Sequence, residues 1–255
     1  MSEEESSPTF QRDSLKFDEL TMKEAKAAAE QGKVIIIPVG SVEEHGEHLP
    51  LCTDSLQSEY IALEVAKRTG CLVAPPIKYG VCNLTRNFPG TISISFESLR
   101  GLMRDILSEF IRNGFSKILV LSGHMDEPHM AALRIAAQEV MQKVSSEGKN
   151  ARIIVCSDYN FAYKLKGEHF NEHDGHGGEI ETSRIMAIRP ELVKKERQKS
   201  YPKLPEFEIL PTPEKYFPAG IIGDPTSASA EKGKLANDYV IEEIIKLVRK
   251  LEHKD

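Results

Sequence analysis

Three short aliphatic runs without polar alternation stand out along the chain: Lys33-Val-Ile-Ile-Ile-Pro38, Lys117-Ile-Leu-Val-Leu-Ser122 and Ala151-Arg-Ile-Ile-Val-Cys156. Such runs predict strands buried on both faces, as in a parallel sheet held between helices. Cys71-Leu-Val-Ala74 is a weaker fourth. Between them the period becomes helical. Leu99, Leu102, Met103, Ile106, Leu107 and Phe110 recur at three- and four-residue spacing, as do Leu235, Tyr239, Ile241, Ile244, Ile245 and Val248, and both stripes read as core faces. Thr21-Met-Lys-Glu24 has the capping-box pattern of a helix start, with the helix ending near Gly32. The alternation predicts an α/β fold: a three-layer α/β/α sandwich with a mostly parallel central sheet and functional loops at the carboxyl ends of its strands. From Tyr201 to Pro218 the chain turns to Pro, Glu and aromatics, as in an irregular excursion or a subunit-contact arm.

Composition narrows the class. The 255 residues carry 33 Lys plus Arg against 39 Asp plus Glu, a formal charge of −6, which argues against a basic nucleic-acid surface. Lys194, Lys195, Arg197 and Lys199 form one small basic cluster, read as a solvated helix end. Hydrophobic residues at 40% and charged residues at 28% suit a globular domain with a substantial core, and no run approaches the roughly 18 apolar residues of a membrane span. Residues 1–14 are acidic and lack the features of a secretory signal, so they are expected to form a disordered tail ahead of a single domain over 15–255. Four cysteines without a CxxC pair fit a reducing compartment, giving a cytoplasmic expectation.

The first strand runs into Pro38-Val-Gly-Ser-Val-Glu-Glu-His-Gly-Glu-His-Leu-Pro-Leu-Cys-Thr-Asp54, which sets Glu43, Glu44, His45, Glu47, His48 and Asp54 close together. Carboxylates with imidazoles suit zinc, manganese or iron, and a carboxylate can bridge two cations that otherwise repel. A lone Glu/His-rich loop is as readily a solvated loop. Two further segments weigh against that. Ser122-Gly-His124-Met-Asp126 follows a predicted strand, and Asp174-Gly-His176-Gly-Gly-Glu179-Ile-Glu181-Thr-Ser183 precedes a helical stretch. Seven of the eight histidines lie in or beside these segments, whereas histidines buried for structure alone would scatter.

Together with Phe88-Pro-Gly-Thr91, Gly223-Asp-Pro-Thr-Ser-Ala228 and Glu231-Lys-Gly233, these motifs resemble the creatininase (creatinine amidohydrolase) family from about residue 16 onward. The resemblance implies an α/β/α fold and two divalent metal ions, Fe2+, Mn2+ or Zn2+. It also implies hydrolysis of a non-peptide C–N bond in a cyclic amide or formamide and, in many members, a homohexamer. Carried onto this chain, Glu43, Asp54 and His124 hold one metal, while His45 and a bridging Asp54 hold the second. The remaining ligand is open between Asp126, one methylene shorter than the Glu of creatinine-cleaving members, and Glu181. Metal-activated water then needs no Ser or Cys nucleophile. His176, of ordinary pKa ~6.5, suits protonation of the leaving nitrogen, with Glu179 or Glu44 to orient it.

Departures from the family pattern bear on substrate. Creatinine-cleaving members cover the substrate ring with tryptophans, and this chain has none. The loop Gly80–Phe88 lacks the Ser and the Glu-His pair of many relatives and offers Cys82, Asn83, Thr85, Arg86 and Asn87 instead. Cys82, Asn83 and Arg86 are the candidate substrate contacts. Arg86 suits a forked contact to phosphate, against an ordinary pairing with a surface carboxylate. This loop resembles members that deformylate a formylaminopyrimidine ribonucleotide phosphate, for which Fe2+ or Mn2+ is expected. The competing readings are a cyclic amide hydrolase of the creatinine type and a non-catalytic member that keeps its metals. A histidine among glycines at position 176 favours catalysis. A small-molecule substrate and further copies of the chain are the expected partners, with no nucleic acid and no membrane.

Overall fold

The structure is a computed structural model that describes residues 14–253, so the expected tail, Ser14 apart, lies outside the described residues. Helix α1 (Met22–Glu30) opens on the reciprocal capping box read from the sequence: Glu24 N–H donates to the Thr21 hydroxyl, and Thr21 N–H donates to the Glu24 carboxylate. Strand β1 (Ile35–Val39) follows and is buried along its whole length. It sits inside a parallel sheet of order β2-β1-β3-β4, with β2 (Leu72–Val73), β3 (Lys117–Ser122) and β4 (Arg152–Ser157). Ile36 pairs in register with Leu119, and Leu119 with Ile154.

Helix α2 (Thr53–Thr69) joins β1 to β2, α3 (Phe96–Arg112) joins β2 to β3, and α4 (Glu127–Ser146) joins β3 to β4. The short α5 (Tyr159–Ala162), α6 (Glu179–Ile188) and the long α7 (Ala230–Glu252) complete the chain. Alternate strand residues serve opposite faces. Val34, Ile36, Leu119 and Leu121 pack with Ile61 and Val65 of α2 and Ile241, Ile244 and Val248 of α7. Ile35, Ile37, Ile118 and Val120 pack with Leu99, Met103 and Leu107 of α3 and Leu133 and Ala136 of α4. Each buried Val, Ile, Leu or Met side chain contributes about 1.5–3 kcal/mol by leaving water, which explains why the strands show no polar alternation. The helical stripes are narrower than the sequence reading made them. Leu102 and Leu235, 45% and 40% exposed, lie at the solvent margin of their helices. The basic cluster is also corrected, since Lys194–Lys199 follow α6 in irregular chain rather than ending a helix. No helix among the described residues is long and apolar enough to cross a membrane.

The topology places the candidate chemistry. From β1 the chain crosses to β2 and from β3 to β4, so the carboxyl ends of β1 and β3 open a crevice where the strand order reverses. Into it projects the first turn of α2. Gly40 after β1 and Gly123 after β3 press against that turn, and a Cβ on either would overlap the backbone of Asp54 or Ser55.

Candidate metal centre

Asp54 stands in the first turn of α2, where the helix dipole favours a carboxylate. Its two oxygens face different histidines. Oδ2 is 3.0 Å from His124 Nδ1, and Oδ1 is 3.0 Å from His45 Nε2. Glu43 Oε2 lies 2.9 Å from the same His124 nitrogen, and Glu181 Oε2 lies 3.5 Å from the same His45 nitrogen. All five side chains are buried. The loop after β1, the start of α2, the loop after β3 and the start of α6 thus converge on two half-sites that share Asp54.

Burial disfavours charge on every member, yet the groups charge one another. His45, beside Asp54 and Glu181, and His124, beside Glu43 and Asp54, are held well above the ordinary histidine range, while Asp54 falls well below the usual carboxylate range. Three buried carboxylates need compensating positive charge. Divalent cations provide it as well as protons do, and His45 Nε2, though 3.0 Å from Asp54 Oδ1, makes no well-directed hydrogen bond. The donor set, two imidazoles and three carboxylates, fits a pair of divalent cations bridged by Asp54.

His176 stacks on His45 with ring centroids 4.2 Å apart, and its Nε2 donates to the Glu44 carbonyl at 2.8 Å. Glu44 Oε1 is 3.4 Å from the same nitrogen. Burial and the His45 ring disfavour the His176 imidazolium, but the Glu44 hydrogen bond with the charges of Glu43 and Glu181 carries it above its ordinary value. The His176 turn is fixed from both sides. Ile222 N–H donates to the His176 carbonyl at 2.7 Å, and the Asp174 carboxylate accepts from Glu179 N–H at 2.6 Å and Ile180 N–H at 2.9 Å, starting α6.

A family model described as creatinine amidohydrolase matches residues 18–248. The chain belongs to the creatininase family of amidohydrolases. It is 30% identical over 249 residues to a creatinine amidohydrolase of Pseudomonas putida, covering 91% of this chain and 95% of that one. It is also 33% identical over 217 residues to a mycofactocin precursor peptide peptidase of Mycobacterium ulcerans, covering 78% of each. A crystal structure of creatinine amidohydrolase superposes with a TM-score of 0.86 at 26% identity, over 95% of this chain and 100% of that one. A structure described as creatininase with Mn gives 0.85 at 28% identity, over 93% and 98%. The fold is the α/β creatininase fold.

Five of the candidate residues differ in place or partner from the expectation. Glu179 does not orient His176: it pairs with Lys232 of α7 and accepts from Asn171 N–H, leaving Glu44 at the histidine. Asp126, the residue preceding α4, lines the same cavity: its Oδ2 accepts from Asn83 N–H at 3.1 Å, while its Oδ1 is buried without a partner. Cys82 is fully buried and does not line the central cavity, so substrate contact is closed to it. Its sulfur, a His124 ring nitrogen and a Glu43 oxygen all lie within 4.8 Å of one another. Asn83 and Arg86 line a neighbouring groove instead of the central cavity.

Several supporting roles were not assigned from the sequence. The Ser41 hydroxyl donates to Asp54 and the Thr85 hydroxyl to Glu43. Val81 ties two histidines together: its carbonyl accepts from His124 Nε2 at 2.9 Å, and its N–H donates to His129 Nδ1 at 3.3 Å. That carbonyl fixes the His124 tautomer and leaves Nδ1 for the centre. Ser41 lies inside the recognised motif, whereas nothing in the sequence marks a backbone carbonyl. His48 turns away to Thr182 at 2.8 Å, and burial drives its pKa down to about 4, as befits a neutral structural histidine.

Proposed function

We propose that this chain hydrolyses an amide C–N bond with two divalent cations, one held by Glu43, Asp54 and His124 and one by His45, Asp54 and Glu181. Asp54 carries the reading, with each oxygen 3.0 Å from a different histidine. Bound cations supply an acidified water and a Lewis acid for the carbonyl oxygen. The protein's own residues do the rest. Ser41 and Thr85 hold the carboxylates in place, and Val81 holds the His124 ring. His176 keeps the proton that the leaving nitrogen needs. A carbonyl oxygen only accepts, so Nε2–H stays on Glu44 and Nδ1 is the atom that holds and releases that proton.

The choice between Glu181 and Asp126 is testable by metal content. Glu181→Ala is expected to retain about one cation per chain where wild type holds two, and Asp126→Ala to retain both. Two cations in both variants would remove both residues from the centre.

For substrate, we infer deformylation of a formylaminopyrimidine ribonucleotide phosphate. The chain has no tryptophan to cover a creatinine ring. The central cavity of about 370 Å³ and a groove of about 860 Å³ share Leu84, Asp126 and Glu127, leaving room for a substrate that extends past the scissile amide. Arg86 is exposed on that groove and, among the described residues, pairs with no carboxylate, which suits an anionic end. The test is formate release by protein reconstituted anaerobically with Fe2+ or Mn2+, with creatinine in parallel. Wild type is expected to release formate, and His176→Ala to keep its metals while losing turnover at least about a hundredfold. Creatinine turnover without formate would replace this substrate by a cyclic amide. Inactivity on both by metal-loaded protein would favour the non-catalytic reading.

A further inference from the structure

The cysteine at position 82 has no task in the mechanism above, yet its placement is specific. Its side chain is fully buried, and the backbone around it is pinned: Cys82 N–H donates to Ser93 Oγ at 3.0 Å, and the preceding Val81 carbonyl accepts from His124. The result is a sulfur among a Glu43 oxygen and a His124 nitrogen, three donor atoms within 4.8 Å of one another and all on buried residues. The other cysteines are elsewhere. Cys71 and Cys156 belong to the packing between the sheet and the α2–α7 layer, and Cys52 is exposed.

We propose that Cys82 is a thiolate ligand of the cation held by Glu43, Asp54 and His124. The proposal rests on the two-cation reading above. A fourth protein ligand changes the balance between the half-sites. Sulfur beside the Glu43 oxygen and the His124 nitrogen would favour a soft or borderline cation over Mg2+ or Ca2+. The half-site of His45, Asp54 and Glu181 keeps three protein ligands and hence a position for water or substrate. His176 stacks on that half-site's histidine, so the proton donor stands on the open side. On binding, the S–H bond breaks, the sulfur lone pair goes to the cation and the proton leaves to solvent, so no oxidant or reductant is involved.

Cobalt(II) reports the difference directly, because sulfur ligation adds a thiolate-to-cobalt charge-transfer absorption that oxygen and nitrogen ligands cannot produce. The full chain is loaded with cobalt, its stoichiometry measured and its absorption recorded beside Cys82→Ser and Cys52→Ser. Two cobalt ions per chain with the charge-transfer band, kept in Cys52→Ser and lost in Cys82→Ser, is the expected result. Two ions without that band in wild type overturns the sulfur ligand and leaves the two-cation reading intact. A band that survives in Cys82→Ser overturns it as well. Failure to bind cobalt at all sinks both. Since the wild-type spectrum is decisive by itself, a poorly folded variant does not shelter the proposal.

Discussion

Asp54→Asn is expected to reduce bound metal from two cations per chain to at most one and to lower turnover at least about a thousandfold. The amide keeps the size of the carboxylate but loses the charge and one acceptor oxygen, and both half-sites draw on that oxygen pair. With two cations bound, the shared negative charge screens their mutual repulsion, so removing it weakens each site beyond the loss of one ligand. A metal acting on developing charge is worth several kcal/mol, and about 1.4 kcal/mol is a factor of ten in rate. Metal analysis of the purified variant, followed by single-turnover kinetics with cations restored in excess, checks both halves. Two tightly held cations in Asp54→Asn would remove Asp54 as the bridge.

Arg184→Met is expected to destabilise the protein by about 3–5 kcal/mol, the scale for leaving a buried charge without its partner. Arg184 is among the largest fully buried side chains. It donates to Asp158 Oδ2 at 2.6 Å and to Asn237 Oδ1 at 2.8 Å, and its guanidinium lies 5.3 Å over the Tyr159 ring. Tyr159 in turn bonds Gln57 of α2, the helix that carries Asp54. Without the guanidinium, Asp158 is a buried carboxylate whose Oδ1 already lacks a partner. Burial raises the Asp158 pKa even with Arg184 opposing the shift, and losing Arg184 raises it further. The folded chain then takes up a proton at higher pH than the unfolded chain. The penalty is accordingly full above the folded pKa and shrinks as pH falls through it toward the unfolded value. Urea titrations at neutral and mildly acidic pH measure both features, and Arg184→Met with Asp158→Asn is expected to recover much of the loss. A loss under about 1 kcal/mol at neutral pH would show that the pair does not hold these helices together.

How far the sequence reached differs between the layers of the description. Ile35–Ile37, Ile118–Leu121 and the Thr21 cap were legible because a strand buried on both faces, and a helix start, are written in consecutive residues. The five donors of the candidate centre were legible as candidates because they cluster in three short segments around an uncommon residue type. Which carboxylate completes the half-site of His45 was not. Glu179 and Glu181 are two residues apart on α6 and therefore about 200° apart around its axis, so only one of them can face the centre. Spacing alone does not say which. The docking of α7 decides it, since Lys232 takes Glu179 and leaves Glu181 turned toward His45.

The sequence by itself determined the α/β class, the strand-end location of the chemistry and membership in a family, all of which follow from local periodicity and contiguous motifs. Only the tertiary structure decided that Asp126 Oδ2 accepts from Asn83, that Cys82 sits beside His124, and that Glu181 rather than Glu179 faces His45. Those outcomes depend on how separate loops meet across the crevice between β1 and β3. That meeting is set by helix packing against the sheet, which no single segment encodes.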